Sequence, residues 1–177
     1  MRAKLAASLL CAVLFLAVQA RAQQSANPLS AVQMSIFSTA KNYLIRSAEK
    51  MPEANYSFRP VPEVRSFWQI LGHVADDQFE GCSGILGEAN PSPGVEKTKT
   101  SKAALTQALK DSFTYCEKAF AGLTDANAAA LVSYYGRQAP KLSALAGTTT
   151  HNMEHYGNLV TYLRIKGLVP PSSEPSQ

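Results

Sequence analysis

Among its 177 residues this chain has only three histidines, three cysteines and one tryptophan. It also lacks most of the motifs by which an enzyme is read from sequence. No glycine-rich G-x-x-x-x-G-K-[ST] loop is present, which excludes a phosphate cradle of that kind. No serine or cysteine nucleophile has a readable partner base, and no H-E-x-x-H occurs, so a zincin is excluded as well. No stretch alternates convincingly with period two, which argues against a sheet protein. Internal repeats and low-complexity blocks are absent. What is present is a 46% apolar composition, enough for a real core in one domain.

The first residues stand apart from that core. Arg2 and Lys4 give a short basic start, and Leu5 to Val18 is an almost unbroken apolar run. A run of this length suits a signal h-region and is too short to span a bilayer. Ala20-Arg21-Ala22 then matches a small-x-small cleavage site. Residues 1–22 are therefore expected to be a signal peptide, with an uncleaved anchor as the alternative. Residues 23–171 form the expected domain and 172–177 a disordered tail. The mature chain is expected to be exported, periplasmic or secreted, without membrane contact. Taking Arg2, Lys4 and Arg21 from the seventeen basic residues leaves fourteen against thirteen acidic ones, a net charge of +1 rather than +4. Lys97, Lys99 and Lys102, the nearest thing to a basic cluster, read as a solvated face, so nucleic acid is not an expected partner.

Four amphipathic helices fit the remainder. The first runs from about Leu29 to Met51, with Val32, Ile36, Tyr43 and Leu44 near helical spacing, and Pro52 ends it. Pro60 and Pro62 hold the next stretch extended. The second runs from Ser66 to about Leu86, opened by a capping-box pair, Ser66 and Gln69. Its core face carries Phe67, Ile70, Leu71, Val74 and Ile85. Residues 87–100 form a long crossover loop. The third helix, from Ser101 to about Ala121, buries Leu105, Leu109, Phe113 and Phe120, with Gly122 as its cap. A short helix is expected from Thr124-Asp125 to Val132. The fourth long helix runs from about Pro140 to Lys166 and stops at Gly167. The fold class is all-α, a four-helix bundle.

His151 and His155 lie one turn apart on the fourth helix, about 40° apart in projection. Two imidazoles so placed can bind one metal ion from one helix, although such a pair also occurs as plain structural histidines. His73 flanks the apolar stripe of the second helix, and a bundle can bring it to the other two. The alternative for His73 is a boundary histidine donating to a backbone carbonyl. Asp77 and Glu80 share a stripe with His73 at i+4 and i+7, which suits a carboxylate that orients an imidazole or acts as a base. Asp76 reads as a solvated acid.

Three stretches carry a family resemblance. They are Tyr56–Pro60 running into Val64-Arg65-Ser66-Phe67-Trp68-Gln69-Ile70-Leu71-Gly72-His73-Val74-Ala75-Asp76, then His151-Asn152-Met153-Glu154-His155-Tyr156-Gly157, and the ending Gly167-Leu168-Val169-Pro170-Pro171. Together they resemble the DinB superfamily, the DinB/YfiT-like bundle proteins, over essentially the whole mature chain. The resemblance implies an up-up-down-down type of bundle. It also implies a divalent site with one histidine from the second helix and two from the last, matching His73, His151 and His155. A two-fold homodimer is implied by resemblance alone. Some relatives use low-molecular-weight thiol cofactors; export puts that chemistry in doubt here, since such thiols are scarce and oxidisable outside the cytoplasm.

The functional expectation is a metal-dependent enzyme, hydrolase-like or transferase-like, acting on an unknown small molecule. Three histidines leave a fourth position for a metal-bound water on Zn, Ni, Fe or Mn. Its alternative is a bundle that the ion merely stabilises. Tyr134, Tyr135 and Arg137 can line a substrate mouth or simply pack. Cys11 leaves with the leader. Cys82 and Cys116 each border the core face of their helix, and a disulfide between them is expected, with two buried thiols as the alternative.

Overall fold

The computed structural model describes residues 27–175, so the expected signal peptide, 1–22, lies outside the described residues. Helix α1 spans Pro28–Lys50, α2 Phe67–Leu86, the short α3 Val95–Thr98 and α4 Lys102–Ala121. Strands β1 (Leu131–Tyr134) and β2 (Arg137–Pro140) precede the long α5, Lys141–Ile165. The four long helices form the bundle, in which α2 packs against α4 and α5, and α1 packs against the same two. The first and second helices are thus diagonal, as are α4 and α5.

Local chemistry sets the helix ends. Proline occupies the first turn of α1, whose free N–H groups are taken from afar: the Asp125 carboxylate accepts from the backbone of Leu29 and Ser30 at 3.1 and 2.9 Å. The Gln69 side chain reaches back to the Ser66 N–H at 2.9 Å, the expected capping box. Gly87 and Gly167 close α2 and α5 with φ of 70° and 73°, the left-handed turn that glycine adopts without strain.

The core is built from the faces that helical spacing marks on α2 and α4. Phe67, Leu71, Leu109 and Phe113 are fully buried, together with Leu145 and Leu159 of α5. On α1 the expected face is corrected in part: Leu44 is buried and Tyr43 packs against the core, as expected. Val32 and Ile36 are exposed, and Phe37, Ala40, Leu44 and Ala48 point inward, with Phe37 stacked on Phe120 at 3.9 Å. This i, i+3, i+7, i+11 stripe is interleaved with the exposed one, and its alanines made it the less apolar choice.

Two further expectations are corrected. The short helix from Thr124 to Val132 is only a 3-10 turn, Asp125–Asn127; the chain then enters the antiparallel hairpin of β1 and β2. Tyr135 and Gly136 form its two-residue turn with φ of 48° and 72°, the positive pair that a type I′ turn requires. The tail is ordered over its described part. Ser172 and Tyr156 hydrogen-bond each other, and Glu174 pairs with Arg46 and Lys50 on α1. The expected disulfide is present: Cys82 of α2 and Cys116 of α4 are joined with their Cα atoms 5.3 Å apart.

Candidate metal centre

His73 comes from α2 and His151 and His155 from α5, and the packing of those helices brings the three imidazoles together. Nε2 of His151 lies 3.1 Å from Nε2 of His73 and 3.0 Å from Nε2 of His155. One ligand atom from each ring falls within 4.8 Å of the others. Nitrogens bound tetrahedrally at about 2.1 Å would sit roughly 3.4 Å apart, so small rotations of the rings suffice for one ion.

The outward nitrogens face polar groups. Nδ1 of His151 lies 2.9 Å from Asp77 Oδ2, a charge contact too poorly aligned for a hydrogen bond, and Nδ1 of His73 lies 3.6 Å from Glu96 Oε2, beyond hydrogen-bond reach. Nδ1 of His155 lies 3.3 Å from the Asn158 amide nitrogen, and half a turn of that carboxamide presents its oxygen instead. A proton on each Nδ1, facing these groups, leaves three Nε2 lone pairs aimed at one another. Such a cluster is repulsive until a cation or a shared proton enters. A second proton on His73 or His155 is disfavoured. Burial first, then the Arg65 charge, lowers the His73 pKa. Burial first, then the neighbouring His151 and His73, lowers that of His155 to about 4. Neutral imidazoles are what a metal ion requires.

Asp77 is fixed from the hairpin, since the Tyr135 hydroxyl donates to its carboxylate. Burial, followed by that bond and the carboxylate's charge, pushes the Tyr135 hydroxyl pKa well up, keeping it a donor. Tyr134 lies between α2 and α5 over two glycines. A Cβ on Gly147 would come 2.9 Å from its hydroxyl, and one on Gly81 3.2 Å from its ring. The tyrosines therefore brace the site from behind, whereas Arg137 touches nothing in it.

Glu80 is not brought to the cluster; its carboxylate accepts from Asn90 in the loop after α2. Asp76 is not a free solvated acid. Its two oxygens accept from the N–H groups of Val95 and Glu96 at 2.6 and 2.8 Å, clamping the start of α3 onto α2. Gly72 completes the clamp, because a Cβ there would meet the Glu96 Cα at 2.6 Å. Spacing pointed to Asp77. Glu96 escaped because no periodicity links a residue beyond the loop to the helix before it. Asn158 was detectable, three residues after His155 on the same helix face.

A cavity of about 610 Å³ adjoins His155, with Arg65, Ile70, Asn158 and Tyr162 in its wall.

Comparison with known proteins agrees with this architecture. The family model described as DinB superfamily matches residues 36–159. The chain is 27% identical over 140 residues to the uncharacterized protein YjoA of Bacillus subtilis, covering 76% of this chain and 88% of that one. A solved DinB-like protein from Bacillus cereus superposes with a TM-score of 0.68 at 16% identity, over 78% of this chain and 93% of that one. A mycothiol-dependent maleylpyruvate isomerase gives 0.59 at 16% identity, over 73% and 60%.

Proposed function

The chain belongs to the DinB superfamily, and from that premise we propose that it binds one divalent metal ion through Nε2 of His73, His151 and His155 and uses it to act on a small molecule. The observation that carries this reading is the convergence of three Nε2 atoms while the Nδ1 atoms face Asp77, Glu96 and Asn158. When bound, a divalent ion there supplies Lewis acidity and acidifies a coordinated water. The protein's own residues do the rest. The Asp77 carboxylate stands beside His151 Nδ1, where its charge favours a proton on that nitrogen, and Tyr135 holds Asp77. Glu96 places a negative charge 3.6 Å from His73 Nδ1 from the clamped loop.

Hydrolase-like or transferase-like chemistry is favoured over a purely structural ion by the cavity that reaches His155. A structural site closes its coordination sphere with protein groups. Asp77 is the residue we assign to orienting the ligand. Glu80, held by Asn90, does not support the base role expected of it. Zn, Ni, Fe and Mn all suit imidazole ligands. Elemental analysis of purified native chain should give one metal per chain, and His151→Ala should give none. A wild-type chain that stays metal-free in the presence of all four ions would overturn the reading.

We also propose export and a homodimer. Export rests on the leader pattern of residues 1–22. The dimer rests on family resemblance and on Leu29, Val32 and Ile36, exposed along one face of α1. Light scattering that returns a monomer mass at high concentration would remove the dimer.

A further inference from the structure

We propose that the cavity beside His155 is the substrate subsite and that Arg65 recognises a carboxylate on a small organic acid there; this rests on the metal-dependent reading above. The cavity, about 610 Å³, has the size of a small-ligand pocket and reaches one member of the triad. Arg65 is held at its elbow and free at its fork. Its Nε donates to Glu96 Oε1 at 3.1 Å, while no described residue takes a hydrogen bond from Nη1 or Nη2. Its backbone is pinned as well, because the Tyr162 hydroxyl on α5 donates to the Arg65 carbonyl at 2.6 Å. A planar guanidinium with two free amino groups matches a carboxylate in paired geometry.

The same Glu96 that takes Nε lies 3.6 Å from His73 Nδ1, so the arginine stands one carboxylate away from the triad. A small acid seated on Arg65 is thereby placed beside the histidines. Two further carboxylates set the charge that fits. Glu63 and Glu154 line the cavity, and neither is ion-paired among the described residues. They disfavour a dianionic phosphate and tolerate a single carboxylate or a zwitterion whose ammonium they answer. Ile70 and Val64 give the remaining wall an apolar surface for a short carbon chain.

The test is ligand-observed NMR titration of zinc-loaded protein with propionate, alanine and inorganic phosphate. Metal stoichiometry is measured first, so a chain that takes up no zinc counts against the metal reading alone. The titration is then repeated on the metal-free chain, where Arg65 still stands. Propionate or alanine is expected to bind the wild type. Arg65→Gln should weaken it roughly 10- to 100-fold, the effect of losing a charge-assisted pair, with Arg65→Lys between the two. Arg65→Gln should still load one zinc, which separates a lost subsite from a disturbed His73. Tighter binding of alanine than of propionate assigns the partner role of Glu63 and Glu154. Equal carboxylate binding by wild type and Arg65→Gln, no carboxylate binding by wild type, or phosphate binding tighter than either acid would overturn the proposal.

Discussion

At the scale of single residues, the site depends on groups that touch no ligand atom of their own. Asp77 receives the Tyr135 hydroxyl and faces His151 Nδ1 at 2.9 Å, so its charge favours a proton on that nitrogen. Asp77→Asn should lower metal affinity about 10- to 100-fold in a chelator competition, and Glu80→Gln should leave it unchanged. Equal effects of the two would mean that the carboxylates act only through net charge. The lowered pKa of His155 also has a consequence for stability. The unfolded chain takes up its proton near pH 6.5, the folded chain only at about 4. Between these values the unfolded state binds more protons, so this histidine makes the metal-free protein less stable as pH falls from about 6.5 to about 4. Thermal melts of the metal-free chain should show this decline, and His155→Gln should flatten it. His73, His151 and His155 were legible in the sequence because the chain has no other histidine and two of them lie one turn apart. Glu96 and Arg65 were not singled out, since their roles arise only when a loop and two helices meet; Asn158 was overlooked although it lies three residues from His155 on the same helix.

At the scale of elements, most of the bundle could be read from periodicity, capping and proline placement. Ser66 with Gln69 marked the start of α2, and Gly167 the end of α5. The failures share a cause: weak local signal outweighed by tertiary contact. On α1 the buried stripe includes Ala40 and Ala48, which look less apolar than the exposed Val32 and Ile36. The hairpin has strands of only four residues, too short for alternation to show, and a Tyr-Gly turn where Asn-Gly would have announced it. Its strands pass close to α2, where a Cβ on Gly84 would come 2.9 Å from the Ser133 carbonyl oxygen. The long loop is similarly governed by α2, through Gly72 and Asp76. Gly72→Ala should therefore destabilise the protein by roughly 1–3 kcal/mol and weaken metal binding, because the α3 backbone must move and carries Glu96 with it. Gly157→Ala makes the contrast. Nothing lies within 4 Å of a Cβ there, so it should stabilise α5 by up to about 1 kcal/mol. Melting curves for the two variants, read beside metal affinity, test the clamp: if Gly72→Ala melted and bound metal like wild type, the loop would not position Glu96.

At the scale of the whole molecule, two independent ties hold α2 in the bundle. The histidine cluster joins it to α5, and the Cys82–Cys116 bridge joins it to α4. The bridge links residues 34 apart in sequence, and closing a loop of that size contributes about 3–4 kcal/mol in the chain-entropy picture. Its formation requires an oxidising compartment, which is what the leader pattern of residues 1–22 would provide. The two features are therefore linked in one experiment. Expressed with its leader in a Gram-negative host, the chain should be recovered from the periplasm with Gln23 as its first residue by intact mass and with no free thiols after denaturation. Expressed from Gln23 in a reducing cytosol, it should carry two free thiols per chain and unfold at lower denaturant. Cys82→Ser with Cys116→Ser should reproduce that loss in either compartment. Metal stoichiometry should survive in all three, because the bridge joins α2 to α4 whereas the histidines are gathered from α2 and α5. A reduced chain that keeps its stability but loses its metal would reverse this assignment, making the disulfide a determinant of the site rather than a brace of the bundle.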